Sequence, residues 1–376
     1  ITDATGVPVM GSLVPRIYYR KNAGAWVSRV GILTSGSATN GYWRFNLVRA
    51  DVGGIAIGDV IDYFILAQDI SGPPNISSAP ACATASDVNT LILPPPTPYT
   101  ASVKGSISGT FTVGVGGDYT TLTAAVADYN SKCLTGPVVF LLTDAAYPSE
   151  TFPISINQVP GQSAANTLTI RPGVGNVATI SGSSTSCIIR FNGADWVILD
   201  GSNSGGTDRS LTLSNTSTGS STAVVCVQSL GTALGATHDV IRNCNIIAGS
   251  TTVSSIFGIH VAGTTVSTSA TGDDNDYLTI QNNSIKKAYY GIYSRATAAG
   301  RNDSLKILNN SIGANVTADQ IGKYGMQLYE ADHALISGNE VFNIVGTVTN
   351  PTGIRIEAGV VNSSVTKNNI NNRYYT

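Results

Sequence analysis

The chain has 376 residues and a formal net charge of −2; only 12% of its residues are charged, whereas 42% are hydrophobic. Forty glycines and many hydroxyl and amide side chains supply the remaining polarity. This composition is typical of an all-β extracellular protein and excludes a coiled coil or an acidic disordered tail. The near-neutral charge offers no basic surface for nucleic acid. No apolar run reaches the roughly 18 residues that cross a bilayer.

The two ends of the sequence carry no targeting signal. The chain begins at Ile1 without an initiator methionine, and it ends at Thr376 directly after a repeat strand. We interpret it as part of a longer protein, C-terminally truncated, whose targeting signal lies outside the sequence.

The cysteines argue against a metal cluster. There are five, Cys82, Cys133, Cys187, Cys226 and Cys244, and none has C-x-x-C spacing. The last three lie in or beside apolar, strand-like runs, which favours small buried thiols over a disulfide or a nucleophile.

The first quarter of the chain has the pattern of short strands. Residues 15–20, 42–47 and 59–68 alternate apolar and polar side chains and are separated by turn residues. This spacing predicts an immunoglobulin- or fibronectin type III-like β-sandwich over residues 1–93. The prolines of residues 94–103 then predict a semi-rigid linker.

One helix is expected after this linker. Within residues 121–133, Leu122, Ala125, Val126 and Tyr129 keep the spacing of a single apolar stripe. A lone amphipathic helix before a long β region suits the cap of a solenoid, whose first turn otherwise exposes its strand edges.

The rest of the chain repeats itself. A six-residue phrase, apolar-x-polar-x-x-apolar, begins at Ile241, Ile280, Ile307, Ile336 and Val365. A second phrase, glycine followed by alternating apolar residues, begins at Gly258, Gly291, Gly325 and Gly353. Two strands per period, with a third short one expected, describe one turn of a parallel β-helix, which we assign to residues 104–376.

The fourth position of the first phrase predicts an asparagine ladder. It holds Asn283, Asn310, Asn339 and Asn368. In successive turns these side chains would stack about 4.8 Å apart, and each amide can donate to one neighbour and accept from the other.

At this point the chain resembles a known superfamily. Residues 111–126, 138–141 and 147–152 are similar to the N-terminal capping region of the right-handed parallel β-helix superfamily, which includes pectate lyases, pectin methylesterases and many surface proteins. With the module at residues 15–63, the chain resembles large exported proteins of the Bacteroidota. The resemblance implies an N-terminal β-sandwich, a right-handed parallel β-helix with one capping helix, and type IX secretion through a C-terminal sorting domain.

The resemblance implies that an enzyme of this superfamily would carry clustered carboxylates and a basic residue on one outer face. Asp276, Asp303 and Asp332 each lie four residues before a repeat strand and are expected to form a column. A column of this kind is consistent with a catalytic pair for glycoside hydrolysis. Asp273, Asp274 and Asp276 are alternatively consistent with a calcium site. The interpretation we favour is that these residues only cap turns.

Five tyrosines are candidates for ligand binding. Tyr289, Tyr290, Tyr293, Tyr324 and Tyr329 cluster in the second phrase and its approach. Rings on an outer face bind sugar rings by stacking, although aromatic ladders also stabilise strands by themselves.

We therefore predict a structural or adhesive segment of a large secreted or cell-surface bacterial protein. Its expected partners are glycans or cell-surface proteins, with no cofactor unless calcium binds. The alternative is a polysaccharide lyase or glycoside hydrolase acting on the outer face of the β-helix, and we lean against an enzyme. A second alternative is a self-assembling filament subunit, because an open β-helix end exposes pairing edges.

Overall fold

The computed structural model describes residues 1–346 and 350–375, and the chain forms two compact units, Ile1–Gly105 and Ser106–Thr376. Within the described residues the only α-helix is Leu122–Asn130, and two short 3-10 helices lie at Arg49–Val52 and Thr317–Asp319. The rest of the regular structure is β, as the composition predicts.

The first unit contains antiparallel sheets. Five strands form the main sheet, in which Val60–Gln68 is central: Val27–Val30, Arg16–Lys21, Val60–Gln68, Ile76–Ala79 and Tyr99–Ser102. Two hairpins accompany it, Ile32–Gly36 with Gly41–Arg44 and Thr84–Asp87 with Thr90–Leu93.

Alternation along these strands produces two apolar clusters. Tyr18 packs with Phe64 and Leu66 in one cluster, whereas Ile17 and Tyr19 pack with Ile61 in the other. Neighbouring residues of one strand point to opposite faces, so the main sheet is covered on both sides. Antiparallel sheets agree with a β-sandwich in part, and the immunoglobulin-like assignment stays a prediction.

The predicted linker is partly wrong. Tyr99–Ser102 pairs antiparallel with Val60–Gln68, so these residues of the 94–103 segment are a strand of the main sheet. The prolines end at Pro98, and the residues after it regain the backbone N–H groups that a sheet requires.

The helix lies where the apolar stripe predicts it. Thr121 caps it by accepting a hydrogen bond from the Ala124 N–H at 3.1 Å. The Glu150 carboxylate accepts from the Leu122 and Thr123 N–H groups at 2.6 and 2.7 Å. The first N–H groups of a helix have no partner within the helix, and these oxygens supply one. The positive end of the helix dipole also stabilises the negative charge of the carboxylate.

The second unit is a parallel β-solenoid of about eight turns, built from three sheets. The first sheet contains Ser106–Val113, Cys133–Leu142, Leu168–Pro172, Val197–Asp200, Val240–Arg242, Thr279–Gln281, Lys306–Leu308, Leu335–Ser337 and Ser364–Thr366. The second sheet contains Ala178–Gly182, Leu211–Asn215, Cys244–Ile247, Ser284–Lys286, Ser311–Ile312, Glu340–Gly346 and Asn369–Tyr375. The third sheet contains Ile154–Asn157, Ile189–Asn192, Thr222–Gln228, Ile256–Ala262, Tyr290–Arg295, Tyr324–Tyr329 and Thr352–Ile356. A short extra pair joins Asn302–Asp303 to Ala331–Asp332.

Residues of one type stack along the interior. Ile280, Ile307 and Ile336 are in register in the first sheet, and all three side chains are fully buried. The six-residue phrase therefore spans the first sheet, a bend and the second sheet. The right-handed sense of the winding stays a prediction.

The bend between the first and second sheets contains the asparagines. Asn310 donates from its side-chain amide to Asn339 Oδ1 at 2.9 Å and to the Ile280 carbonyl at 2.9 Å. Asn283 and Asn339 repeat this pattern, toward Asn310 and Asn368 respectively. The left-handed backbone falls on the residue before each of them, for example Asn309 at φ 53°. Each of these three amides thus donates to a backbone carbonyl of the turn before it and to the asparagine oxygen of the turn after it.

No helix among the described residues is long and apolar enough to cross a membrane.

Candidate functional site

The bend that enters the first sheet has the same backbone in six turns. Its central residue is left-handed, with φ between 47° and 59°, at Trp196, His238, Tyr277, Ser304, His333 and Asn362. The N–H of each member from Trp196 to His333 donates to the carbonyl of the residue before the next member, as Tyr277 does to Asp303 at 2.7 Å. We call this set the bend column.

Three aromatic rings of the bend column stack. The Trp196 and His238 ring centroids are 4.1 Å apart with the planes at 17°, and His238 and Tyr277 follow at 4.4 Å and 18°. Strands of successive turns are about 4.8 Å apart, so identical backbone in successive turns brings the rings close to van der Waals contact.

The stack ends at Tyr277. The next member of the bend column is Ser304, whose side chain is too small to cover a phenol ring. One face of Tyr277 contacts His238, whereas 52% of the residue is exposed. His333 is the following member, and its side chain is also exposed, at 68%.

The three predicted carboxylates lie beside the bend column. The Asp303 N–H donates to Asp276 Oδ1 at 2.7 Å, and Asp303 pairs in register with Asp332 in the short two-stranded sheet. Asp332 Oδ1 is 2.9 Å from His333 Nδ1 and accepts from Asn362 Nδ2 at 2.9 Å. The three aspartates therefore lie in successive turns, and the Asp276 carboxylate bonds the backbone of the turn after it; the turn-capping role that we favoured from the sequence stays a prediction.

The members of this column differ in acidity. Burial raises the pKa of Asp276 to about 6, and the charges of Asp303 and Asp274 add to the rise, against the opposing hydrogen bond from the Asp303 N–H. The Asn362 amide lowers the pKa of Asp332 below its usual value. A carboxyl that is half protonated near pH 6 thus lies one turn from exposed Asp303.

The proposed calcium ligands do not converge. Asp273 accepts hydrogen bonds from Thr232 and Thr297 at 3.0 and 2.5 Å. Asp274 accepts from the Ala233 N–H at 2.7 Å. Across residues 1–346 and 350–375, no three His, Cys, Asp or Glu side chains are close enough to hold a metal ion.

The prediction that the tyrosine cluster forms an exposed ligand surface is wrong. Tyr289, Tyr290, Tyr293 and Tyr324 are at most 6% exposed, and only Tyr329 is half-buried. Tyr290 nevertheless neighbours both Tyr293 and Tyr324, with ring centroids 5.7 and 5.5 Å away respectively. The rings form an aromatic cluster under loops instead of a free binding surface.

Two loops cover this cluster. The Thr268 carbonyl accepts hydrogen bonds from the Tyr293 hydroxyl and from Arg295 at 2.6 and 2.5 Å, so the loop at 263–272 lies over the rings. A Cβ on Gly322 would lie 1.6 Å from the Thr251 carbonyl oxygen, which shows that the loop at 248–255 packs directly against the chain beside Tyr289. At one edge Lys323 Nζ lies 4.8 Å from the Tyr324 ring centroid, a cation–π contact.

Sequence reasoning missed the aromatic stack, although a signal for it existed. His238 and Tyr277 lie three residues before the repeat phrases that begin at Ile241 and Ile280, and this spacing could have placed them in one column. Trp196 comes before the recognised repeats, and only the pairing of Leu199 with Ile241 aligns it. The three buried cysteines, Cys187, Cys226 and Cys244, are free thiols as predicted.

Comparisons with known proteins indicate similarity only at low levels. No protein-family model and no curated protein sequence matches the chain. A pectin methylesterase from Aspergillus niger is 11% identical, with a TM-score of 0.31, over 73% of this chain and 91% of that one. PfbA, a surface adhesin of Streptococcus pneumoniae, is 12% identical, with a TM-score of 0.26, over 67% of this chain and 73% of that one. Values this low do not bear on function.

Proposed function

We propose that this chain is a structural and adhesive segment of an exported bacterial surface protein and that its β-solenoid binds glycans. The observation that carries the proposal is the stack of Trp196, His238 and Tyr277, which ends in an exposed ring on the outside of the solenoid. Sugar rings have apolar faces that pack on aromatic rings, while their hydroxyl groups need the hydrogen-bond acceptors that neighbouring aspartates supply.

The solenoid suits a load-bearing segment. Its interior is one continuous apolar cluster that extends from Ile107 to Ile344, and the asparagine ladder bonds its last turns to one another. A rigid support reduces the conformational entropy lost when a ligand binds. Export through the type IX system agrees with the resemblance to Bacteroidota proteins and remains part of this proposal.

Binding is tested with the whole chain. Native electrophoresis through gels that contain single polysaccharides of plant, algal and microbial origin measures retardation, and serum albumin serves as the non-binding control. We expect at least one polysaccharide to retard the chain. Retardation by none of the panel contradicts glycan adhesion.

A glycoside hydrolase is the second candidate function. The observation that favours it is the pair formed by Asp276, whose pKa is raised to about 6, and Asp303 one turn away. A glycosidase needs one carboxyl that stays protonated as the general acid, which the raised pKa of Asp276 suits, and a second carboxyl nearby; the rung spacing of about 4.8 Å is near the carboxyl separation of about 5–5.5 Å in retaining enzymes.

Adhesion and hydrolysis differ in whether the bound glycan is cleaved. Incubation with each retarding polysaccharide, followed by an assay for new reducing ends and for unsaturated uronate absorbance, detects cleavage. The adhesive function predicts retardation without cleavage. Cleavage that Asp276→Asn and Asp303→Asn each abolish would establish the hydrolase in its place.

A further inference from the structure

The bend column contains a gap at Ser304. Tyr277 lies one turn before Ser304 and His333 one turn after it, as the register of Thr279, Lys306 and Leu335 shows. Two rungs separate the bends of Tyr277 and His333 by about 10 Å. A ring in van der Waals contact on both faces needs about 7–8 Å, so the spacing of these two bends leaves room for one ring.

The gap is open on the side of solvent. Ser304 is half-buried at its floor, while Tyr277 and the His333 side chain are both more than half exposed. In the three turns before Ser304 the same left-handed bend holds Trp196, His238 and Tyr277. This position of the fold therefore accommodates flat rings in successive turns, and Ser304 leaves one place in that series unfilled.

The surroundings of the gap are acidic. Asp276, Asp303 and Asp332 lie immediately before Tyr277, Ser304 and His333 in three successive turns. Of the basic side chains in these turns, Arg301 is bonded to Glu330 at 3.2 Å and to the Gly359 carbonyl at 3.1 Å, His333 Nδ1 lies 2.9 Å from Asp332 Oδ1, and exposed Lys306 follows Ser304 by two residues. Exposed Asp303 is the carboxylate nearest to Ser304 in the chain.

We propose that the gap over Ser304, here called the Ser304 slot, binds one amino-sugar ring of a basic glycan, with the ring on Tyr277 and the protonated amine near Asp303. The inference rests on the proposed function and names its ligand class. The exposed end of the stack selects a ring with an apolar C–H face, and the aspartates select a positive charge over the negative charge of a uronic acid. A protonated amine beside a phenol ring gains a cation–π contribution as well.

Three oligosaccharides of equal length test the charge. The probes are the tetramers of β-1,4-linked glucosamine, of its N-acetylated form and of galacturonic acid, titrated calorimetrically into the whole chain. We expect the glucosamine tetramer to bind about tenfold more tightly than the N-acetylated tetramer and the galacturonate tetramer to bind more weakly still. Equal binding of the first two overturns the inference.

Three variants locate the site. Tyr277→Ala removes the platform and Ser304→Tyr fills the slot, and each is expected to weaken glucosamine binding about tenfold. Asp303→Asn removes the charge and should weaken it about fivefold. Tyr42→Ala, at a tyrosine that is 73% exposed in the first unit, is the matched control and leaves binding unchanged.

The outcomes distinguish this inference from the proposed function. Undiminished glucosamine binding by Tyr277→Ala and Ser304→Tyr overturns the slot while glycan adhesion stands. Retardation by a polysaccharide together with no binding of the glucosamine tetramer has the same consequence. If Ser304→Tyr does not fold by circular dichroism, Tyr277→Ala decides the question alone, because the outer face of that ring is already in solvent.

Discussion

The side-chain amide of Asn310 donates a hydrogen bond to Asn339 Oδ1 at 2.9 Å, and the same oxygen accepts from the Asn310 backbone N–H at 2.9 Å. One carbonyl oxygen thus holds two donors of the turn before it. Because both residues are at most 1% exposed, no water can replace either partner.

Replacement of Asn310 should therefore destabilise the solenoid strongly. Asn310→Ala leaves the Asn283 N–H and the Ile280 carbonyl without their partner, and each unpaired buried group costs about 1–3 kcal/mol. We expect a loss of about 2–4 kcal/mol in the free energy of unfolding. Denaturant unfolding measures it, and Asn89→Ala, at an exposed asparagine of the first unit, is the control. Equal losses in the two variants would contradict the role of the ladder.

The ladder was predictable from the sequence because it depends only on period. Intervals of 27 and 29 residues between apolar-flanked asparagines specify the register of neighbouring turns, and register decides which side chains meet. The exposure of the tyrosines was not predictable in this way. Tyr293 belongs to a regular strand, yet the loop at 263–272 that buries it has no repeat pattern. The position of this loop depends on tertiary contacts such as the hydrogen bond from the Tyr293 hydroxyl to the Thr268 carbonyl.

The stack of Trp196, His238 and Tyr277 falls between these cases. His238 and Tyr277 obey the period, since each lies three residues before a repeat phrase, whereas Trp196 comes before the recognised repeats and is aligned only by the pairing of Leu199 with Ile241. The Asp276 carboxylate shows a further limit: its place in a column follows from spacing, whereas its raised pKa follows from burial, which the sequence does not specify.

The raised pKa of Asp276 predicts in which direction the stability changes when its charge is removed. Its pKa in the folded chain is about 6, above the ordinary value of an aspartate, so ionisation at neutral pH disfavours the folded state. Asp276→Asn keeps an acceptor for the Asp303 N–H and removes the charge. We expect the variant to be about 1 kcal/mol more stable than the unmodified chain at pH 7, after allowance for solvent screening.

The difference should fade as the pH falls from 7 to 4, because the wild-type carboxyl takes up a proton as the pH passes through 6. Thermal unfolding at several pH values measures this. Asp332→Asn is the control of opposite sign, since the pKa of Asp332 is lowered and its ionised form stabilises the fold. A pH-independent effect of Asp276→Asn would contradict the buried-charge explanation.

The hydrogen bond from the Tyr293 hydroxyl should hold the loop at 263–272 in place. Tyr293→Phe removes only the hydroxyl that donates to the Thr268 carbonyl at 2.6 Å, which should cost about 1 kcal/mol. Hydrogen exchange and limited proteolysis should both become faster in this loop and stay unchanged in the strands of the first sheet. Tyr42→Phe, at an exposed hydroxyl, is expected to change neither, and unaltered exchange in Tyr293→Phe would show that the hydroxyl does not hold the loop.

The glycines of the third sheet lie where the chain packs too closely to leave room for a side chain. A Cβ on Gly291 would lie 2.5 Å from the Gly325 carbonyl oxygen and 2.7 Å from Ile312 Cγ2, and neither a strand backbone nor a packed isoleucine can move away freely. Gly291→Ala should therefore destabilise the chain by about 1–3 kcal/mol through overpacking. Gly219→Ala is the matched control, because its Cβ would meet only Ser217 Oγ at 3.5 Å on an exposed loop. Chemical unfolding of the two variants compares them directly, and equal stability would mean that the third sheet can shift outward to accept a methyl group.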